Sequence, residues 1–504
     1  MPEYLAPGVF IEEIERGPKP IEGVGTSTAA FIGETARGPE RPRAVTSYSA
    51  YVRLFGNVFN EGKYMPYAVK AFFDNGGRRC YITRVVGEGA QKSTAAIGNY
   101  AFTALGGGTA GDRILVRLSD SSTKDSSGAP VGFRVQVFYW DSGTPFDPVA
   151  DTTTQPRPVL EEDFDDIRTD PSHPDYFDKR INNKNSSLIE MTVPDGEAAP
   201  GGVTAQALAG GNDGGAVTSV QFEGIAANAD DRRGLSALEL DEFREVSVVY
   251  APDADDQTVK AVVAHCEKNR FRFAVIDAAK SQANATSLDP RSKNDTKYAG
   301  FYYPWLTTTD PQTGKRKSIP PGGAICGIYA RTDNTRGVWK APANEPVIGA
   351  LELEYDIDQG TQEILNPRGV NVIRRFPGRG IRVWGSRTLS SDTLWKYVPV
   401  RRLFIFLEHS IYNATQWVVF EPNDQRLWAR VKQSVTLFLR TQWREGALMG
   451  DKEEEAFSVN VGYDTMTEDD ILNGRLIIEV GIAPVRPAEF VIFRIFQKTQ
   501  EAKS

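Results

Sequence analysis

The sequence predicts an α/β chain of several domains, and three stretches carry that prediction. Val246–Tyr250, Gln257–Asn269 and Phe273–Ile276 read strand, helix, strand, ending on Asp277; this is a β-α-β unit and implies a parallel central sheet. From 87 to 207 the chain turns rich in Ser, Thr, Asp, Gly and Pro, with short strand-like pieces. A β-rich, loop-rich insertion therefore splits the α/β core into 25–86 and 208–347. The two ends, 1–24 and 485–504, each carry an apolar strand-like run set off by prolines and glycines, and a C-terminal α+β domain is expected over 348–484.

Composition bounds the function. The chain has 504 residues, enough for about three domains, and 40% of them are hydrophobic, as in a globular protein. No apolar run approaches the ~20 residues of a membrane helix, and the acidic opening MPEYLAPGVFIEEIE does not read as a signal peptide. Cys80, Cys266 and Cys326 have neither metal spacing nor a paired framework, which fits a reducing cytoplasm during synthesis. A formal net charge of −8 argues against general nucleic-acid binding.

In chain order, Phe31 and Ile32 end a short strand. Tyr48–Phe55 reads as a helix stopped by Gly56, and Tyr67, Ala71 and Phe72 recur at helical spacing before Gly76-Gly77 and the β-rich Tyr81–Val86. Inside the insertion, Ile114–Leu118 and Phe133–Tyr139 are strand-like. The acidic run Glu161 to Asp166 reads as a solvated loop, with metal binding as the sharper alternative. The glycines of 106–111 and of LAGGNDGG (208–215) lack the context of a nucleotide loop. Residues 320–344 show little periodicity beyond Ala324–Tyr329 and read as a structured loop. Ile381–Trp384 reads as a strand, Pro399 to about Tyr412 as a helix, Trp417–Phe420 as a strand, and Gln425–Arg444 as a helix capped by Asn423 or Asp424.

The last stretch organises the rest. Phe457–Val461 and Leu476–Ile482 can form a hairpin across an acidic turn segment. Pro484 and Pro487 then cut off a third run, Phe490–Phe496. That run is apolar on both faces: Phe490, Ile492 and Phe496 on one, Val491, Phe493 and Ile495 on the other. Val9, Phe10, Ile11 and Ile14 have the same character near the other end, between Pro7-Gly8 and Gly17-Pro18. Two such arms suggest strand donation to another subunit's sheet edge; pairing within the same chain is the alternative.

The words YLAPGVFIEEIERGPKPIEGVGTSTAAFIGETARGP, AFFDNGGRRCYITRV, LAGGNDGG, GFYYPW and PPGGAICGIYARTDNTRGVWKAPAN, with the region from RRLFIFLEHSI onward, occur in the order found in one family. The chain resembles the sheath proteins of contractile tails, those of contractile phages, R-type pyocins and extracellular contractile injection systems. The stretch from about Gly87 to Pro200 has no counterpart, and such insertions decorate the outside of a sheath.

The resemblance implies a structural subunit that stacks as hexameric rings around an inner tube, assembles extended on a baseplate and contracts to drive the tube through a target envelope. Its partners would be further copies of itself, the tube protein, the baseplate and a tail-terminator or cap protein, with no nucleic acid and no membrane insertion. Assembly would take place in a bacterial or phage-infected cytoplasm, for a tail or a released tail-like particle. Both arms would add strands to neighbouring subunits, on an acceptor sheet formed by Val459, Val461, Leu476, Ile478 and Val480. The 348–484 domain would lie next to the tube. On its Gln425–Arg444 helix, Leu427, Trp428, Val431, Val435, Phe438 and Leu439 share one face and Arg426, Arg430, Arg440 and Arg444 the other, with Gln433 and Leu437 between the arginines. The arginine face is either solvated or tube-facing.

A likeness of this family's core to subtilisin invites a hydrolase or peptidase reading. The three histidines, His173, His265 and His409, have no nucleophile motif beside them, and Asp277 at a strand end suits capping as well as catalysis. The expectation is no enzyme activity, no metal and no cofactor. The alternatives are an α/β hydrolase, or a type VI-like or non-contractile sheath polymer.

Overall fold

The computed structural model describes residues 21–194, 197, 201–226 and 228–495. Val9, Phe10, Ile11, Ile14 and Phe496 lie outside the described residues. The chain divides into two compact units, Gly25–Arg402 and a second made of Met1–Val24 with Leu403–Ser504.

In the first unit, β1 (Ala29–Gly33), β2 (Arg43–Val45) and β3 (Cys80–Arg84) come before the 87–207 stretch. That stretch holds β4 (Thr94–Ile97), β5 (Tyr100–Ala104), β6 (Ile114–Asp120), β7 (Phe133–Tyr139), β8 (Leu160–Ile167), β9 (Ile189–Thr192) and β10 (Thr204–Ala207). After it come β11 (Val248–Tyr250), β12 (Phe273–Asp277), β13 (Ala299–Tyr303), β14 (Leu306–Thr309), β15 (Arg316–Ile319), β16 (Glu352–Leu353), β17 (Val370–Phe376) and β18 (Gly380–Val383).

The central sheet has the order β18-β17-β13-β12-β11-β1-β3-β2. Its six inner strands run parallel, and only the edge strands β18 and β2 are antiparallel. Parallel strands are covered on both faces, which is why AAFIG, VVY and AGFYY are continuous small or apolar runs, buried throughout. β17 and β18 correct the expected domain start at 348. The run VNVI of β17 pairs with β13, Phe301 opposite Val370, and so belongs to the first unit; the division falls between Arg402 and Leu403.

The sheet's cover includes the helices Met65–Asp74 and Gly322–Arg336, which pack on each other. The second corrects the loop expected over 320–344. Ten of its residues are buried, so it shows no amphipathic period, and three of those are glycines. The glycines are contact points: a Cβ on Gly323 would lie 2.3 Å from the Ala68 carbonyl oxygen, and one on Gly327 2.4 Å from that of Phe72.

The 87–207 stretch forms two antiparallel sheets, β10-β6-β7-β8 and β4-β5-β9, around a core that includes Phe102, Val116, Val135 and Val137. The acidic run expected as a loop is instead the edge strand β8, paired with β7. Two of its carboxylates are matched by neighbours in space. Glu162 is buried and accepts from the Ser186 hydroxyl at 2.6 Å and the Ser187 N–H at 2.8 Å, and Asp163 accepts from Arg134 Nε at 2.8 Å.

The helix Val398–Ala414 runs across the division into the second unit. There the expected strand Trp417–Phe420 is a 3-10 turn over Gln416–Val418 followed by Phe420 at φ 69°, a left-handed conformation no strand adopts. Asp424 caps the helix Gln425–Arg444 by accepting from the Arg426 and Leu427 N–H groups. β19 (Phe457–Val461) and β20 (Ile478–Ile482) close the described order.

Candidate assembly surfaces of the C-terminal unit

β19 and β20 form a two-stranded antiparallel sheet with Phe457 opposite Ile482, Val459 opposite Val480, and Val461 opposite Ile478. A short helix, Glu468–Leu472, fills the turn. Thr467 and Asp470 close a capping box there, and Arg475 donates to Asp469 and Asp470 at 2.7 Å each. β19 packs on the Gln425–Arg444 helix and buries Phe457 and Val459. Of the expected acceptor residues, Val459 is buried, Val461 and Ile478 are half-buried and Val480 is 37% exposed. Leu476 is half-buried but lies before the strand, so the expected start at 476 moves to Ile478. Among the described residues, both outer edges of this pair carry no ladder partner. A two-stranded sheet is marginal alone, and its open edges are templates for further strands.

After β20 the chain stays attached for three residues. Met449 N–H donates to the Ala483 carbonyl at 2.8 Å and Val485 N–H to that of Ala447 at 3.2 Å. Beyond Pro487 the described arm residues have no regular structure and are uncovered: Phe490 69%, Ile492 77%, Phe493 84% and Ile495 96% exposed. The strand expected over 490–496 is thus not formed within this chain up to residue 495. Each such side chain forgoes about 1.5–3 kcal/mol of burial.

The Gln425–Arg444 helix buries the six expected apolar residues together with Ser434 and Gln442. Its four arginines are not equivalent. Arg426 and Arg444 are exposed. Arg430 lies 4.4 Å over the Trp417 ring and 4.0 Å from Glu421. Arg440 donates to Glu453 through Nε at 2.7 Å and Nη2 at 3.0 Å, and this bond holds the Glu453 carboxyl below its ordinary range. The four arginines expected on one face therefore differ in their partners, because the turn after the helix returns Glu453 to Arg440. Trp417 and Phe420, read from the sequence as the ends of a strand, stand instead in a short turn between two helices.

The candidate catalytic groups are spoken for. His265 is buried; its Nε2 meets Arg272 Nη1 at 2.6 Å, and burial, helped by the Arg272 charge, pulls its pKa down to about 3. Asp277 accepts from the Gly322 N–H at 2.8 Å and from the Tyr250 hydroxyl; burial pushes its pKa up to about 7 against both bonds. His173, in the 87–207 stretch, accepts from the Asp175 N–H at 3.1 Å. His409 is buried within the Val398–Ala414 helix. Burial raises the thiol pKa of Cys80, Cys266 and Cys326, so they stay unreactive thiols. Among the described residues no group of three or more His, Cys, Asp or Glu is arranged to hold a metal, and no helix is long and apolar enough to cross a membrane.

Two family models match consecutive stretches: the phage tail sheath protein central domain over residues 224–389 and the phage tail sheath C-terminal domain over 390–498. The chain belongs to the contractile tail sheath family. The tail sheath protein of Burkholderia phage BcepMu is 24% identical over 466 residues, 88% of each chain. A putative prophage major tail sheath protein of Pseudomonas aeruginosa is 25% identical over 290 residues, 56% of this chain and 72% of that one. Among solved structures, the anti-feeding prophage helical sheath in its contracted state superposes with a TM-score of 0.59 at 26% identity, covering 98% of this chain and 100% of that one. A chain of the anti-feeding prophage baseplate gives 0.58 at 25% identity, with 98% and 100% coverage. This sheath protein is therefore a structural component of a phage tail or tail-like particle, as its named relatives are sheath proteins.

Proposed function

We propose that this sheath subunit polymerises as stacked hexameric rings around an inner tube, is held extended, and contracts to drive the tube through a target envelope, without catalysis. One observation carries the reading: among the described residues, a two-stranded sheet with open edges and, in the same unit, an apolar segment over 490–495 whose large side chains stand exposed. Each neighbour's need is met by the other's surplus, as in strand addition at a sheet edge. In this reading the N-terminal arm Val9–Ile14 joins a second edge. The baseplate and a terminal cap protein bound the stack, the 87–207 stretch decorates its outside, and assembly takes place in the cytoplasm of the producing cell.

The arginine face of the Gln425–Arg444 helix is the surface we assign to the tube. Exposed ion pairs are worth ~0–1 kcal/mol each and are screened by salt, which suits a grip that must release. Arg440 is engaged by Glu453, and Arg430, 4.0 Å from Glu421, is matched in part, so among the described residues the least encumbered contacts are Arg426 and Arg444. Changing both to Glu should lower the yield of extended sheath on tubes and spare tube-free polysheath; unchanged yields would mean a solvated face. For the polymer itself the test is negative-stain microscopy of a Phe493→Asp, Ile495→Asp variant. Circular dichroism should match the parent, because both side chains are exposed in the subunit, and sheath should be absent. Normal contracting sheath from this variant would refute strand exchange.

A further inference from the structure

The turn that joins the two long helices of the C-terminal unit ends on an unusual residue. Phe420 is fully exposed and sits at φ 69°, a left-handed conformation that side chains other than Asn, Asp and Gly seldom adopt. Val419 beside it is 60% exposed. Among the described residues nothing covers the phenyl ring, and glycine would fit the backbone without strain.

The turn is nevertheless firmly held. The Thr415 hydroxyl donates to the Ile411 carbonyl at 2.8 Å and Glu421 N–H to that of Val418 at 3.2 Å. On the far side Asn423 accepts from Trp428 Nε1 at 2.7 Å and donates to the Arg475 carbonyl at 3.1 Å. Trp417 lies under Arg430, which also approaches Glu421. The backbone of Phe420 thus lies between bonded neighbours, in the turn that leads into the arginine helix. That helix carries Arg426, Arg430, Lys432, Arg440 and Arg444 and no acidic residue, in a chain whose net charge is −8.

We propose that Phe420 is an aromatic anchor: it inserts into an apolar pocket on an acidic protein surface, with Arg426 and Arg430 as the flanking cations. The occupant is the inner tube, so the inference rests on the tube-facing reading of the arginine helix. An exposed aromatic on a held backbone, among weak ionic contacts, has the make-up of an interface hot spot. It gives the contact a register that mobile arginines alone do not, and it costs little to order because the backbone is already fixed.

The test compares Phe420→Gly, Phe420→Tyr and the Arg426→Glu, Arg444→Glu double variant in the full chain, co-assembled with the tube protein. Phe420→Gly should melt no lower than the parent and form tube-free polysheath normally. Its extended sheath on tubes should fall roughly tenfold or more, by a similar factor at low and high salt because the lost contact is apolar. Phe420→Tyr should keep most of the yield. Full yield of extended sheath from Phe420→Gly overturns the anchor, whatever the arginine variant does. Loss of tube-free polysheath also overturns it, since the ring would then seat in a second sheath subunit; so does a lower melting temperature, which would make the ring part of the fold. If the double arginine variant assembles on tubes normally while Phe420→Gly does not, the ionic grip fails and the anchor stands.

Discussion

The Arg402 guanidinium and the Asp333 carboxylate form a buried two-bond ion pair, Nη1 to Oδ1 at 2.9 Å and Nη2 to Oδ2 at 2.6 Å, with both side chains 4% exposed. Thr26 completes it. Its hydroxyl donates to Asp333 Oδ2 at 2.6 Å and its carbonyl accepts from Arg402 Nη2 at 2.9 Å, while the guanidinium lies 4.5 Å over the Tyr329 ring. One carboxylate thus ties the start of the Val398–Ala414 helix, the Gly322–Arg336 helix and the chain's entry into β1. Asp333→Ala should leave a buried, unmatched cation and cost about 3–5 kcal/mol, read as a lower urea midpoint. Replacing both residues by apolar ones of similar size should cost much less.

The glycines of the Gly322–Arg336 helix should resist substitution in spite of helix propensity. Gly327→Ala gains ~1 kcal/mol of propensity but drives a methyl into the Phe72 carbonyl, so a net loss of about 1–3 kcal/mol is expected from overpacking. Gly360, exposed in the helix Gln359–Leu365 with only Asp358 Oδ1 at 3.9 Å, should respond with the opposite sign, a gain of roughly 0.5–1 kcal/mol. Thermal melts of the two variants separate close packing from propensity.

Two buried groups should act on stability in opposite directions with pH. Asp277, raised to about 7 in the fold, contributes stability that is present at low pH and lost as pH climbs from about 4 toward 7. His265, lowered to about 3, contributes stability that is present above about 6.5 and lost as pH falls. Between about 4 and 6.5 the two slopes cancel in part. Asp277→Asn should unmask the histidine, so that stability rises more steeply with pH in that window, by at most about 1.4 kcal/mol per pH unit relative to the parent. The variant should still assemble. Urea titrations at pH 4.5, 5.5 and 6.5, chosen to span the window, check the slope; an unchanged slope would mean that Asp277 ionises normally.

Deletion of Met1 to Glu15 should leave the circular dichroism of the subunit unchanged and abolish contractile sheath. If the deletion unfolds the subunit, the arm belongs to its own chain's core.

Much of this was legible in the sequence, and the failures share a cause. The parallel core announced itself through VVY, FAVID and the helix between them, and the Gln425–Arg444 helix through its clean apolar face. The Gly322–Arg336 helix did not, because a segment buried on all sides has no polar face to set a period, and its three glycines serve helix contacts rather than turns. The run 161–166 misled for the converse reason: its charges are matched by Arg134 and the Ser186–Ser187 segment, partners distant in sequence. Arg440 looked free because Glu453 lies beyond a turn whose geometry is invisible in one dimension. β17 was given to the wrong domain because nothing local says which sheet a strand joins.

Among the described residues the small β19–β20 sheet has two open edges, and two tails are proposed to act as arms. Suppose each edge takes one tail from another copy. Sockets and plugs are then equal in number on every copy; where tails pass to the next layer in one direction, a stack leaves one layer of sockets vacant at one end and as many plugs unused at the other, however many layers it has. Such an object has a direction, and its two ends demand different finishing proteins. It has no preferred number of layers, so its length has to be measured by something other than the subunit.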